Sequence, residues 1–235
     1  MAKLSIEDET LKILREARRK SDAVLVSFSG GRDSLVVMDL CLRVFARVEA
    51  FFMQVVPGLE TVEGPAIEAA AKFGVKLHLV PHWIAFRLKR YGVYCFDPIE
   101  RDEWPDIKIR DIYALMIEET GIPIVATGAK RVDSIWRKRY LDSTKGWTEV
   151  VNPIVGWSKH EVAAYLTSHK IPLPKGSTGK NELGAEEAKA AGGIDLSKGA
   201  VCLLYDRSPE DYAILEAEFP FVGAIIKQRE MNRGR

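Results

Sequence analysis

Cysteine is scarce in this chain, and neither sign of charge is in excess. Cys41, Cys95 and Cys202 are the three cysteines among 235 residues. Their odd number and wide spacing exclude a disulfide framework and point to a reducing, cytoplasmic setting. No two stand at Cys-x-x-Cys spacing, so no structural zinc or dithiol motif is expected. Three are too few for a four-cysteine site within one chain, so no iron–sulfur cluster is expected either. Lys and Arg number 34 against 33 Asp and Glu, a net charge of +1, which removes any global electrostatic case for nucleic acid. No apolar run approaches membrane-spanning length, and Met1-Ala-Lys-Leu-Ser5 lacks a secretory apolar region, so no membrane partner is expected. The length suits one α/β domain with a smaller C-terminal extension.

What is present concentrates near the N-terminus. In Val24-Leu-Val-Ser-Phe-Ser-Gly-Gly-Arg-Asp-Ser34 an apolar β-type run, Ala23–Phe28, enters a turn holding Gly30 and Gly31, and an amphipathic helix opens directly afterwards. A strand, a glycine-rich turn and a helix N-terminus in succession form an anion site, because free backbone N–H groups and the positive helix end converge there. Glycine lets the backbone approach a phosphate closely, and Ser29, Arg32 and Ser34 can add side-chain donors. No Gly-Lys-Ser/Thr follows, so this is not a Walker A loop, and the glycine spacing is not that of the dinucleotide fingerprint.

Along the chain, strands are expected at 23–28, 48–55, 75–80 and 122–127. Helices are expected at about 5–20, 33–46, 62–73, 83–90 and 107–120. Their alternation argues for a doubly wound, mostly parallel α/β sheet with helices on both faces. Right-handed crossovers then bring the loops after the first and fourth strands to one carboxyl edge. Ser158-Lys-His-Glu161 has capping-box spacing and starts a helix to about residue 169. Ser208-Pro209-Glu-Asp211 is another helix start, with proline at N1 and acids in the first turn. Between them, 172–198 is rich in Pro, Gly, Ser, Lys and Glu and reads as a mobile loop or lid, with a short helix at 185–191. The expected division is a nucleotide-binding domain over 1–170 and a partly mobile C-terminal extension over 171–235.

After the fourth strand comes Thr127-Gly128-Ala-Lys130-Arg131-Val-Asp133-Ser134-Ile-Trp-Arg137-Lys138-Arg139, with five cations within ten residues. Facing the phosphate loop, these cations can neutralise oxyanions, and arginine adds a bidentate fork. A solvated basic turn would read the same way.

Ser29-Gly-Gly-Arg-Asp-Ser34 resembles the PP-loop of the N-type ATP pyrophosphatases and the related phosphoadenosine phosphosulfate (PAPS) reductases. The second stretch is similar to that superfamily's Gly-x-Arg-x-x-Glu/Gln-Ser-x-x-Arg motif, which Gly128, Ser134 and Arg137 match, with Lys130 and Asp133 at the arginine and acidic positions. Asn152-Pro-Ile-Val-Gly-Trp157 resembles a third element, in which Trp157 either packs or borders the adenine pocket.

The resemblance implies an adenine nucleotide, ATP or PAPS, in the crevice. Ser29 to Ser34, Gly128, Arg131 and Ser134 would bind it, and Asp33, Lys130 and Arg137 would serve catalysis. Asp33 either holds Mg²⁺ or caps the helix. Two reactions follow: cleavage of ATP between its α and β phosphates to adenylate an acceptor, ranked slightly first, or reductase- or sulfotransferase-like chemistry on PAPS or adenylyl sulfate. For the latter Cys202 is the candidate thiol, unless it is simply a buried cysteine. Cys41 and Cys95 read as buried. A non-catalytic nucleotide-binding subunit of a sulfur-transfer complex is the other class, which leaves room for a homo-oligomer or a partner subunit. Nucleic acid stays open through the basic patch and tail, without support from net charge.

Two departures stand out. The PAPS reductases' C-terminal Glu-Cys-Gly-type motif is not present in Arg229-Glu-Met-Asn-Arg-Gly-Arg235. Met53-Gln54-Val55 stands where many relatives have Asp-Thr-Gly, although Glu60-Thr61 echoes the end of that element.

Overall fold

The apolar run after Ser21 forms β1 (Ala23–Ser27), and its alternate side chains serve two different cores. Val24 and Val26 enter the larger apolar cluster, whereas Leu25 enters a second one on the opposite face with Phe51, Tyr113 and Met116. All three are fully buried, each contributing roughly 1.5–3 kcal/mol. A strand buried on both faces belongs inside a parallel sheet.

The computed structural model describes residues 5–95, 103–143, 146–173 and 196–233. In chain order it runs α1 (Ile6–Arg18), β1, α2 (Arg32–Leu42), β2 (Arg47–Gln54), α3 (Glu60–Lys72), β3 (Lys76–Pro81), α4 (Trp83–Arg90), α5 (Ile109–Thr120), β4 (Val125–Thr127), α6 (Ile135–Ser143), β5 (Val150–Val151) and α7 (Lys159–Ser168). Three helices follow: α8 (Lys198–Arg207), α9 (Pro209–Glu218) and α10 (Gly223–Arg233).

The sheet order is β3-β2-β1-β4-β5, and every neighbouring pair is parallel. The chain builds outward from β1 through β2 to β3, then returns to β1's other side with β4. That reversal opens a crevice at the carboxyl ends of β1 and β4. Register pairs Ser27 with Thr127, so the loops leaving both strands start at the same level.

The expected elements are recovered, with local differences. β4 is shorter than the expected 122–127, because Pro123 has no N–H to give to a ladder. Gly121 closes α5 in the left-handed conformation at φ 69°. The capping box of Ser158 and Glu161 forms at the start of α7. Ser208 caps α9, with Pro209 in its first turn. The elements α6 and β5 are additions to the sequence reading. Residues 174–195 lie outside the described set, and with them most of the expected lid and its short helix.

The C-terminal helices share the main core: Leu204, Leu215, Phe219 and Val222 cluster with Val26 and Leu35. A buried carboxylate ties them to the sheet's carboxyl edge. Asp211 on α9 accepts the backbone N–H groups of Glu60 and Thr61 at 3.1 and 2.8 Å and the Thr61 hydroxyl, capping α3 from a distant part of the chain. Among the described residues no helix is long and apolar enough to cross a membrane.

Candidate nucleotide-binding site

The turn after β1 needs its first glycine, since Gly30 sits at φ 71°. Gly31 is the N-cap of α2 in extended conformation, and no side chain caps the helix. The backbone N–H groups of Asp33 and Ser34 precede the first helical bond, Leu35 N–H to Gly31 O at 3.0 Å, and form the positive end of α2.

Two serines hold this turn in shape. The buried Ser34 hydroxyl donates to Gly31 O at 2.9 Å and accepts from Ser29 N–H at 3.3 Å, and the two hydroxyls lie 3.2 Å apart. The Gly31 N–H donates in turn to Ser29 Oγ at 3.3 Å. Arg32 stands exposed on the first turn of α2.

The loop after β4 lies directly against that turn. A Cβ at Gly128 would meet Asp33 Cβ at 3.1 Å, Asp33 C at 3.2 Å and Ser34 N at 3.3 Å, so only glycine allows this approach without displacing backbone. Thr127 donates to Asn152 Oδ1 at 2.5 Å, and Arg131 N–H donates to Val155 O at 3.0 Å. The Asn152–Trp157 element therefore buttresses the second loop. Trp157 itself packs, buried in the main core with its indole N–H on Thr10 Oγ1 at 2.8 Å.

Lys130 departs furthest from a solvated basic turn. It is 1% exposed, its ammonium in contact with the Asp33 carboxylate and 3.3 Å from Asp133. A buried cation persists only with such partners. The clamp joins the first turn of α2 to the loop after β4, closing the base of the crevice. Arg131 is about half exposed and pairs with Asp142 at 3.3 Å. Ser134 is exposed just before α6, and its carbonyl accepts from Lys138 N–H at 3.0 Å. Arg137 lies on α6, its side chain outside the described set.

The family model of the phosphoadenosine phosphosulfate reductase domain matches residues 23–175, nearly two thirds of the chain. The chain belongs to that family. As a PP-loop protein, it is 24% identical over 180 residues to adenosine 5'-phosphosulfate reductase of Allochromatium vinosum, covering 71% of this chain and 67% of that one. Among solved structures it resembles the NH3-dependent NAD synthetase of Campylobacter jejuni, determined with a nitrate ion, at 16% identity and TM-score 0.50, over 94% of each chain. That likeness concerns the fold alone. The U34-tRNA thiolase NcsA of Methanococcus maripaludis, determined with its [4Fe-4S] cluster, aligns over 92% of this chain and 80% of its own at 15% identity and TM-score 0.49.

The expectation of no iron–sulfur cluster does not stand, because its premise is too narrow. Counting three cysteines rules out only four cysteine ligands from one chain, and such clusters also accept histidine ligands. Asp33, expected either to hold Mg²⁺ or to cap the helix, holds the Lys130 ammonium, which Asp133 shares.

The cysteines separate by burial. Cys41 is wholly buried in α2, where burial pushes its thiol far up. Cys95 and Cys202 are half-buried. Cys202 lies on α8 beside Tyr212 and Arg229, and no described contact links it to the PP-loop.

The histidines have structural partners. His78 Nε2 meets Glu49 at 2.6 Å, and His82 Nδ1 accepts Ile84 N–H at 2.9 Å to cap α4. Burial drives His82 down to about 4, so it stays neutral. The Asp33–Lys130–Asp133 clamp and the Asp211 cap escaped the sequence reading. An acid three residues after a lysine was the one signal available for the clamp.

Proposed function

We propose that this PAPS reductase family protein is a sulfur-metabolism enzyme that binds a sulfonucleotide, adenylyl sulfate or PAPS, with its phosphate on the PP-loop. The observation that carries the reading is the side-chain-free N-terminus of α2 behind Gly30 and Gly31, facing the loop after β4 across the sheet's reversal point. Backbone N–H groups of Asp33 and Ser34 bind the phosphate oxygens, while Ser29 and Ser34 keep the turn in its binding shape. Arg131 and Ser134 in the loop after β4, and Arg137 on α6, are the candidates to answer the remaining negative charge. Lys130 acts through Asp33, holding both loops at a fixed separation. A thiolate, from Cys202 or from another molecule, then attacks the sulfonate sulfur; an S–S bond forms as the S–O bond to the phosphate breaks, which leaves an S-sulfonate on the thiol and releases the adenosine phosphate.

Sequence alone ranks ATP cleavage slightly higher. The family match and the reductase relative support the opposite order. Thermal unfolding with adenylyl sulfate, PAPS and ATP added separately tests this. At a hundred times its dissociation constant a ligand stabilises by about 2.7 kcal/mol, which moves the midpoint by roughly 5–11 °C in a chain of this size. Adenylyl sulfate or PAPS should give that shift. A shift with ATP alone would return the reading to adenylation. Turnover by the isolated chain separates an enzyme from a nucleotide-binding subunit.

A further inference from the structure

We propose that the outer face of α4 is a docking surface for single-stranded nucleic acid, presented on the same sheet edge as the PP-loop. Trp83, Arg87 and Tyr91 recur at four-residue spacing and share one face of the helix and its end, with Trp83 half-buried against the second apolar cluster at the inner limit of that face. The Arg87 guanidinium lies 5.5 Å from the centroid of the Trp83 ring and 5.9 Å from that of Tyr91, forming a ring–cation–ring stack. Arg87 is exposed, and Tyr91 is 61% exposed. Among the described residues no carboxylate pairs with Arg87.

The other cations of α4 are used differently. Lys89 sits over the Trp104 ring at 4.8 Å and pairs with Glu218, and Arg90 donates to Trp104 O at 2.6 Å. Phe86 meets the Trp104 ring edge-on at 6.2 Å. These contacts anchor the helix, and Arg87 and Tyr91 remain outside them. Of the three cations on α4, Lys89 is paired with Glu218 and Arg90 is held by a backbone carbonyl, which leaves the charge of Arg87 to meet a phosphate.

Spacing selects the kind of polyanion. Four residues advance about 6 Å along a helix, against about 3.4 Å per nucleotide in each strand of a stacked duplex. Only a strand with splayed bases places successive rings on such a ladder, with phosphates beside the guanidinium, as in single-strand binding platforms. Position favours the same occupant. Helix α4 begins two residues after β3 ends, and His82 N–H donates to Gln54 O at the carboxyl end of β2 at 2.7 Å. With strands about 4.8 Å apart, the start of α4 stands roughly 10 Å along the sheet edge from the turn after β1.

The test is fluorescence anisotropy with labelled dodecamers of oligo(U), oligo(dT) and duplex DNA, at low and physiological salt. The intact protein should bind the single strands at least about tenfold more tightly than the duplex, and binding should weaken as salt rises. Loss of one stacking or cation contact should weaken binding by about fivefold or more in Arg87→Ala and in Tyr91→Ala. Both side chains are at the surface, so the unfolding midpoint should hold, as should its shift with adenylyl sulfate or PAPS. Comparing oligo(U) with oligo(dT) tells RNA from DNA. No single-strand binding, equal binding of duplex, or unchanged binding in both variants would overturn the proposal. Strand binding without any nucleotide-induced shift would sink the sulfonucleotide reading and leave this surface standing.

Discussion

Replacing Lys130 with methionine removes the ammonium that Asp33 and Asp133 share while keeping much of the side chain's volume. Breaking a buried ion pair from one side costs about 3–5 kcal/mol, because the partner's charge is left uncompensated. Here the two carboxylates are 34% and 26% exposed and can recover water, which places the cost at the lower end, near 3 kcal/mol. In a chain of this length that lowers the thermal midpoint by about 6–12 °C. Urea unfolding of Lys130→Met, Asp33→Asn and the double variant measures the coupling directly. The double variant should lose less than the sum of the singles by at least about 1 kcal/mol. Lys130→Arg keeps the charge but forces a larger head group into a space that is 2% exposed, and overpacking of this kind costs about 1–3 kcal/mol. A Lys130→Met loss below about 1 kcal/mol, or simple additivity in the cycle, would refute the clamp.

Two further perturbations probe its surroundings. Gly128→Ala drives a Cβ against the Asp33 and Ser34 backbone, so it should cost about 1–3 kcal/mol and reduce the nucleotide-induced midpoint shift; full retention of both would mean the loops do not pack as described. His82 is held neutral down to about pH 4, whereas in the unfolded chain it takes a proton near pH 6.5. The unfolded state therefore binds more protons across that window, and stability falls as pH drops from 6.5 to 4, by at most about 3 kcal/mol. His82→Asn keeps an acceptor for the α4 cap and should flatten urea-unfolding stability across the window, and a slope equal to that of the unaltered protein would contradict the assignment.

Elements whose signal is local were legible in the sequence. The run Ala23–Phe28, the glycine pair and the apolar helix behind them read correctly because each states its own period and its own stop. The same holds for Ser158–Glu161 and for Ser208–Pro209, whose caps need only near neighbours. Helix α6 was not legible, since Ile135–Ser143 is largely polar and shows no apolar stripe. Nor was β5, two residues long and followed by Pro153, whose ring cannot serve a ladder. At the site, the glycine turn was readable and the fate of Lys130 was not. Its main partner, Asp33, lies far away in sequence, and a lysine among four arginines and lysines looks solvated. The Asp211 cap was hidden for the same reason, as it reaches Glu60 and Thr61 across about 150 residues.

The central claim, that the turn around Gly30 and Gly31 is where a sulfonucleotide's phosphate binds, is tested most directly by titration calorimetry of adenylyl sulfate and PAPS into the unaltered protein and Gly31→Val. Gly31 has an ordinary φ of −79°, and an added Cβ meets only Ser29 Oγ, at 3.3 Å. The variant should therefore fold, with a midpoint close to that of the unaltered protein, while its side chain blocks approach to the N–H groups of α2. Saturable binding of at least one sulfonucleotide by the unaltered protein, and none by a folded Gly31→Val, is the predicted result. Equal affinity in the two proteins would remove the turn from the site, and no binding of either nucleotide to the unaltered chain would contradict the assignment outright.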